Sequence, residues 1–360
     1  MSTNTDHDGT HPQRLTASNT TRPATGIVHL GLGAFFRAFG CIYISDAIAA
    51  SGGDWGITGV SLRSPDTRDA LRAQGWAYTS VSLTLDGEVP RVIEILNDVL
   101  VAPEDPAAVL DAMADPAVRL VSLTITEKGY CHDPSTGALK RDHPDIRHDL
   151  TNDQPKSALG YLVRGLQARR QADLPPFTVL TCDNLPRNGH MVRGLVLELA
   201  GLIDPALAAW IKTQGRFPCT MVDRITPATT DRDIARLGDL TGYQDAAPVI
   251  HEPFSQWVVE DDFVNGVRPD LAAAGVELVT DVAAHEMRCM EIWGGIEASH
   301  EVVAVPGQVA YWPLDGNARG LGGLGSEGVL ETVLFVDGRA GQALSFDRDG
   351  GRARFELPEL

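Results

Sequence analysis

Basic residues are in short supply: Lys and Arg total 30 against 48 Asp and Glu, a formal net charge of −18. A surface of that sign repels phosphate backbones and anionic lipid, so neither nucleic acid nor membrane is expected as a main partner. No apolar run reaches the ~20 residues needed to span a bilayer. Residues 1–25 are polar, rich in Thr, His and Asp, and lack the apolar stretch of a secretory signal; they read as a disordered arm. Cysteine is sparse as well. The five (positions 41, 131, 182, 219 and 289) are odd in number, widely spaced, and contain no C-x-x-C. That suits a reducing cytoplasm and gives no structural zinc pattern. Internal repeats and low-complexity tracts are also missing.

What is present is an ordinary globular composition, 43% hydrophobic and 22% charged, in a chain long enough for two domains. Ile27-Val28-His29-Leu30 is an apolar strand leading into Gly31-Leu32-Gly33, and Ala34 to Ala50 has helical length. Strand, glycine turn and helix together present amides to a phosphate, although many such turns need glycine for φ > 0 alone. The next strand, Trp55 to Leu62, ends in Arg63-Ser64-Pro65-Asp66. An acid there can hold a ribose diol, or it can cap the helix Thr67 to Ala73.

The alternation continues. Tyr78 to Leu83 and Val92 to Val101 read as strands, with Asp86-Gly87 as a hairpin turn. Pro106 to Met113 is a helix, Leu120 to Thr126 a strand, and Ser157 to Ala172 an amphipathic helix. The strand Phe177 to Thr181 and the helices Met191 to Leu202 and Pro205 to Gln214 follow. The expected fold class is α/β, a Rossmann-like, doubly wound and largely parallel sheet covered on both faces.

Three loops carry candidate chemistry. Cys182-Asp183-Asn184-Leu185-Pro186-Arg187-Asn188-Gly189 follows a buried strand. Its two Asn amides can polarise a carbonyl or steady an alkoxide without adding charge, or they form an Asx-type turn into the next helix. Glu127-Lys128-Gly129 ends another strand, where open sheets bind ligands; a solvated ion pair is the plainer reading. Asp223-Arg224 lies inside the apolar stretch Phe217 to Pro227, and such charges need partners. A structural role, orienting the Asn loop, is expected for them rather than substrate contact.

Taken together the chain resembles the polyol-specific long-chain dehydrogenases, the mannitol dehydrogenase and fructuronate reductase family. The matching pieces are Gly31-Leu32-Gly33-Ala34-Phe35-x-Arg37-Ala38, Ser122 to Tyr130, Cys182 to Gly189, Val222 to Pro227, and Glu252-Pro253-Phe254 through Trp257 to Asp261, in family order. The resemblance implies an NAD-dependent, metal-independent oxidoreductase that interconverts a polyol such as D-mannitol and a ketose such as D-fructose, with other polyols or uronates as alternatives. It places Gly31, Gly33, Phe35 and Arg37 at the cofactor, and Asp66 as the acid favouring NAD over NADP. Asn184 and Asn188 become the amides on the substrate oxygen, with Glu127 nearby. A cytoplasmic monomer acting on a small molecule is expected.

The chain departs from the family at Phe36, Phe39 and Gly40, where His, His and Gln are usual. A larger departure starts at Arg288, which stands where the family has its lysine base; Trp293 and Ile296 stand where it has Asn and His. Arg cannot act as a base near neutral pH. Residues 288–360 are β-patterned with Asp-Gly turns instead of the family's helical domain. The expected division is an arm over 1–25, a dinucleotide-binding domain over 26–285, and an atypical segment over 286–360 of fused, frame-shifted or recombined origin. Loss of the Lys, Asn and His side chains gives a catalytically impaired NAD-binding module as the alternative function.

Overall fold

A computed structural model describes residues 13–17, 21–133 and 135–286, with strand backbone at 328–331, 333–338, 341–346 and 352–355. After a short β1 (Gln13–Arg14), β2 (Thr25–Leu30) enters α1 (Ala34–Ala38) and α2 (Gly40–Ser51), and β3 (Gly56–Ser61) enters α3 (Asp66–Arg72). A hairpin of β4 (Tyr78–Thr84) and β5 (Gly87–Ile93) precedes β6 (Leu96–Val101) and α4 (Pro106–Ala114). Next come β7 (Leu120–Leu123), α5 (Pro144–Asp149), α6 (Ala158–Gln171), β8 (Thr178–Thr181), α7 (Asn188–Ile203), α8 (Pro205–Gln214) and β9 (Thr220–Asp223). They are followed by α9 (Asp231–Thr241), β10 (Tyr243–Gln244), β11 (Val249–His251), β12 (Gln256–Glu260) and β13 (Glu277–Val279). In the last segment Val333–Gly338 pairs antiparallel with Gly341–Phe346, and Gly328–Glu331 with Arg352–Phe355, as the β-patterned reading expects.

The central sheet has five parallel strands in the order β6-β3-β2-β7-β8. The chain winds outward from β2 in one direction through β3 and β6, and in the other through β7 and β8. The winding reverses between β2 and β7, and the crevice beyond their carboxyl ends is where an open sheet accepts a ligand. Side chains on β2 alternate: Val28 and Leu30 join the core formed with α4, α6 and α7, whereas Ile27 joins the one formed with α2. Both faces are covered, which is the doubly wound arrangement.

The strand-rich segment at Tyr78 does not belong to this sheet. β4 pairs with β5 and β11 in a separate three-stranded sheet, and β12 joins β9 and β13 in another. β5 is exposed along most of its length, so the hairpin has only one face to bury and leaves the doubly covered layer.

The helix expected over Ala34 to Ala50 breaks at Phe39 (φ −128°, ψ −84°). A break frees carbonyls, and distant side chains satisfy them. The Tyr78 hydroxyl donates to Arg37 O at 2.6 Å and Arg224 Nη1 to Ala38 O at 2.6 Å. Arg224 is thus structural, as expected, but it holds this helix break and Phe254 O rather than the Asn loop. The stretch Ala34–Ser51 is, among the described helices, the one long and apolar enough to cross a membrane; half of it is buried inside the fold, as in a core helix.

Candidate active site

Gly31 and Gly33 end β2 for different reasons. Gly31 has φ +90°, and an added Cβ would lie 2.3 Å from Thr124 O. Dihedral and space both require glycine here. Gly31→Ala is therefore expected to cost more than about 1 kcal/mol of stability; urea unfolding checks it, and an unchanged midpoint would refute the steric argument. Gly33 has an extended backbone (φ −98°, ψ −175°), and its Cβ would find no atom nearer than 3.8 Å. The protein itself does not need a glycine there. The empty space before α1 fits the close approach of a dinucleotide's phosphates.

Beneath this turn lies His29, fully buried. Thr124 Oγ1 donates to Gly31 O at 2.8 Å, so it accepts from His29 Nε2 at 2.9 Å, and His29 Nδ1 then accepts from Ser122 Oγ at 2.8 Å. Burial pushes the imidazole down to about 3, so it is neutral. Phe36, at a position where the family has His, stacks on it with 3.3 Å between ring centroids.

Asp183 ties the loop after β8 to the loop after β7. Its carboxylate accepts from Ile125 N at 2.9 Å, Thr126 N at 3.0 Å and the Tyr130 hydroxyl at 2.6 Å. Burial raises its pKa, and these three donors oppose the rise. Thr126, Cys131 and Arg187, three of the six non-glycine residues with positive φ among those described, lie in these two loops. A β-branched residue such as Thr126 adopts φ +64° only where its surroundings enforce it, and the bond to Asp183 does so. The sequence reading quoted Asp183 without giving it a role; an acid at a strand end, before a polar loop, is the signal that could have found it.

The expected site residues divide. Asn184 is exposed and its side chain has no hydrogen-bond partner among the described residues; Glu127 is exposed on the facing loop. Asp66 is exposed and is the first residue of α3, not its cap; Ser64 Oγ donates to it at 2.8 Å. Phe35 is half-buried and stacks on Phe39.

Two residues depart from expectation. Asn188 is fully buried: its Nδ2 donates to Asp183 O and Thr220 O at 2.9 Å each, and its Oδ1 accepts from Gly189 N and Thr220 N. With its capacity spent inside the protein, it is a strut between the Asn loop and β9, not a free donor. Arg37 is also buried, over the Tyr78 ring with Nη1 on Ala247 O, so its charge does not reach the glycine turn. Arg288 lies outside the described residues. The Asp223 carboxylate is half-buried without a hydrogen-bond partner among the described residues, and burial raises its pKa.

Residues 25–273 match the family model described as mannitol dehydrogenase Rossmann domain. The chain belongs to the mannitol dehydrogenase family. A family relative, the mannitol 2-dehydrogenase of Pyricularia oryzae, is 42% identical over 291 residues, covering 79% of this chain and 58% of the relative. The D-mannonate oxidoreductase of Escherichia coli is 42% identical over 292 residues, covering 80% and 59%. Among solved structures, Pseudomonas fluorescens mannitol 2-dehydrogenase in ternary complex with NAD and D-mannitol superposes with a TM-score of 0.73 at 42% identity, over 78% of this chain and 57% of that one. The chain thus spans little more than half the length of these family members.

Proposed function

We propose that the protein binds NAD(H) in the crevice between β2 and β7 and passes hydride between a polyol and a ketose, with D-mannitol and D-fructose as the favoured pair. The observation that carries this is the open space at Gly33, at the point where the winding of the sheet reverses. NAD, when bound, supplies the hydride acceptor. Gly31 shapes the turn, Gly33 leaves room for its phosphates, Phe35 flanks them, and Asp66 holds the ribose diol. Asn184, exposed and without a hydrogen-bond partner among the described residues, donates to the substrate oxygen, while Asn188 and Asp183 hold its loop in place. Glu127 faces the same crevice, and Asp223 is available to a substrate hydroxyl. Similarity to the D-mannonate oxidoreductase supports a uronate as the alternative substrate.

Arg288, in the family's lysine position, supports a second reading, a cofactor-binding module with impaired turnover. Fluorescence titration with NADH and NADPH tests the shared part. NADH is expected to bind more tightly, and equal or tighter NADPH binding would reject the role of Asp66. Asp66→Ala should narrow the gap by ~10-fold or more, the worth of a hydrogen bond to a charged group. Its stability should be unchanged, because Asp66 makes no cap bond. Turnover with mannitol and NAD⁺ near the ~10 s⁻¹ typical of enzymes supports the first reading. Intact NADH binding without turnover supports the second.

A further inference from the structure

Behind the Asn loop three side chains from separate elements converge. His190 lies in the first turn of α7, Cys219 immediately precedes β9, and Glu260 ends β12; one ligand atom from each lies within 4.8 Å of the others. We propose that His190, Cys219 and Glu260 bind one divalent cation of the zinc class, with water completing a tetrahedron. Thiolate, imidazole and carboxylate are the ligand types zinc selects, and thiolate and carboxylate together balance its charge. This site is separate from the hydride chemistry and does not depend on the cofactor reading.

The surroundings already orient two of the ligands. The Gly189 and His190 backbone amides lie on the side of the Cys219 sulfur and favour its thiolate, as outer donors do around metal-bound thiolates. Glu260 Oε2 accepts from Cys219 N at 2.9 Å, which holds the carboxylate beside the sulfur. Cys219 is 1% exposed, whereas His190 is exposed and gives the ion its way in.

The third ligand is held in check. Arg187 donates from Nε and Nη2 to His190 Nδ1, at 3.2 and 3.0 Å. With Nδ1 accepting, the neutral ring carries its proton on Nε2, so neither nitrogen has a free lone pair. Arg187 is exposed and can swing aside. Cation binding and the Arg187–His190 contact therefore exclude one another.

The test uses the full chain with cobalt(II) as the probe, read by its thiolate charge-transfer absorption, and zinc as the competitor. One cobalt per chain is expected, displaced by zinc. Cys219→Ser should abolish the band, His190→Ala should weaken binding, and Cys289→Ser should leave it unchanged. Arg187→Ala, a truncation of an exposed side chain, should tighten cobalt binding by ~10-fold, the scale on which outer contacts tune metal sites. A wild-type chain without the band, a Cys219→Ser chain that keeps it, or an Arg187→Ala chain that binds no more tightly would each overturn the proposal.

Discussion

Replacing Gly33 by valine is expected to abolish NADH binding while leaving the fold intact. Gly33 has the extended backbone that a β-branched residue prefers, and a Cβ placed there meets nothing within 3.8 Å. Thermal stability should therefore stay within about 1 kcal/mol of the parent chain. The side chain would instead fill the space that the glycine leaves before α1. Moving the cofactor's phosphates outward forfeits at least two charge-assisted hydrogen bonds, a loss of ~100-fold or more in affinity. Gly31→Ala acts in the opposite way, through stability. The pair separates a glycine kept for the chain from one kept for a ligand. Undiminished NADH binding by a well-folded Gly33→Val chain would remove the main support for the cofactor site.

Asp183→Ala should produce the largest loss of stability among single changes around the site. It removes at once the acceptor of the part-buried Ile125 N, of the exposed Thr126 N and of the Tyr130 hydroxyl, which keeps Thr181 Oγ1 as a partner. A loss of about 1–3 kcal/mol follows from the one sheltered amide left without a partner and the two bonds lost beside it. Asp183→Asn should be nearly as damaging, because its amide hydrogens would face donors. The pH dependence has a definite sign. The folded carboxyl has a raised pKa, so the folded state binds the extra proton, and this group's contribution declines as pH rises from the ordinary carboxylate value through the folded one. Chemical denaturation of parent and Asp183→Ala chains across roughly pH 3–8, a span that includes the carboxylate range, checks both points. Equal stabilities would show that the loops do not depend on this brace.

The alternation of elements was legible because the central strands are buried on both faces and so read as unbroken apolar runs. Helix starts were legible too: Asp105, Ser157 and Asp204 each cap the helix that follows through a side-chain oxygen. The box formed by Thr230 and Asp233 at α9 was equally visible and could have located that helix. The break at Phe39 was not, since Tyr78 and Arg224, which make it tolerable, come from far along the chain. Motif position also failed to separate Asn184 from Asn188, because the difference rests on Thr220 of a later strand. Arg37 matched the cofactor motif but was drawn inward by Tyr78 and Ala247. The His190, Cys219 and Glu260 cluster has no spacing signal, since three elements bring it together.

The strand order also sets a timetable for synthesis. β2 pairs on one side with β3 soon after it is made, but its other partner is β7, with His29 and Ser122 93 positions apart. At translation rates of ~5–20 residues per second, that edge waits roughly 5–19 seconds for its neighbour. During the wait an apolar strand offers unpaired backbone groups to any other strand nearby. The wall that closes the ligand crevice is thus also the piece that ends the nascent chain's period of greatest exposure to aggregation.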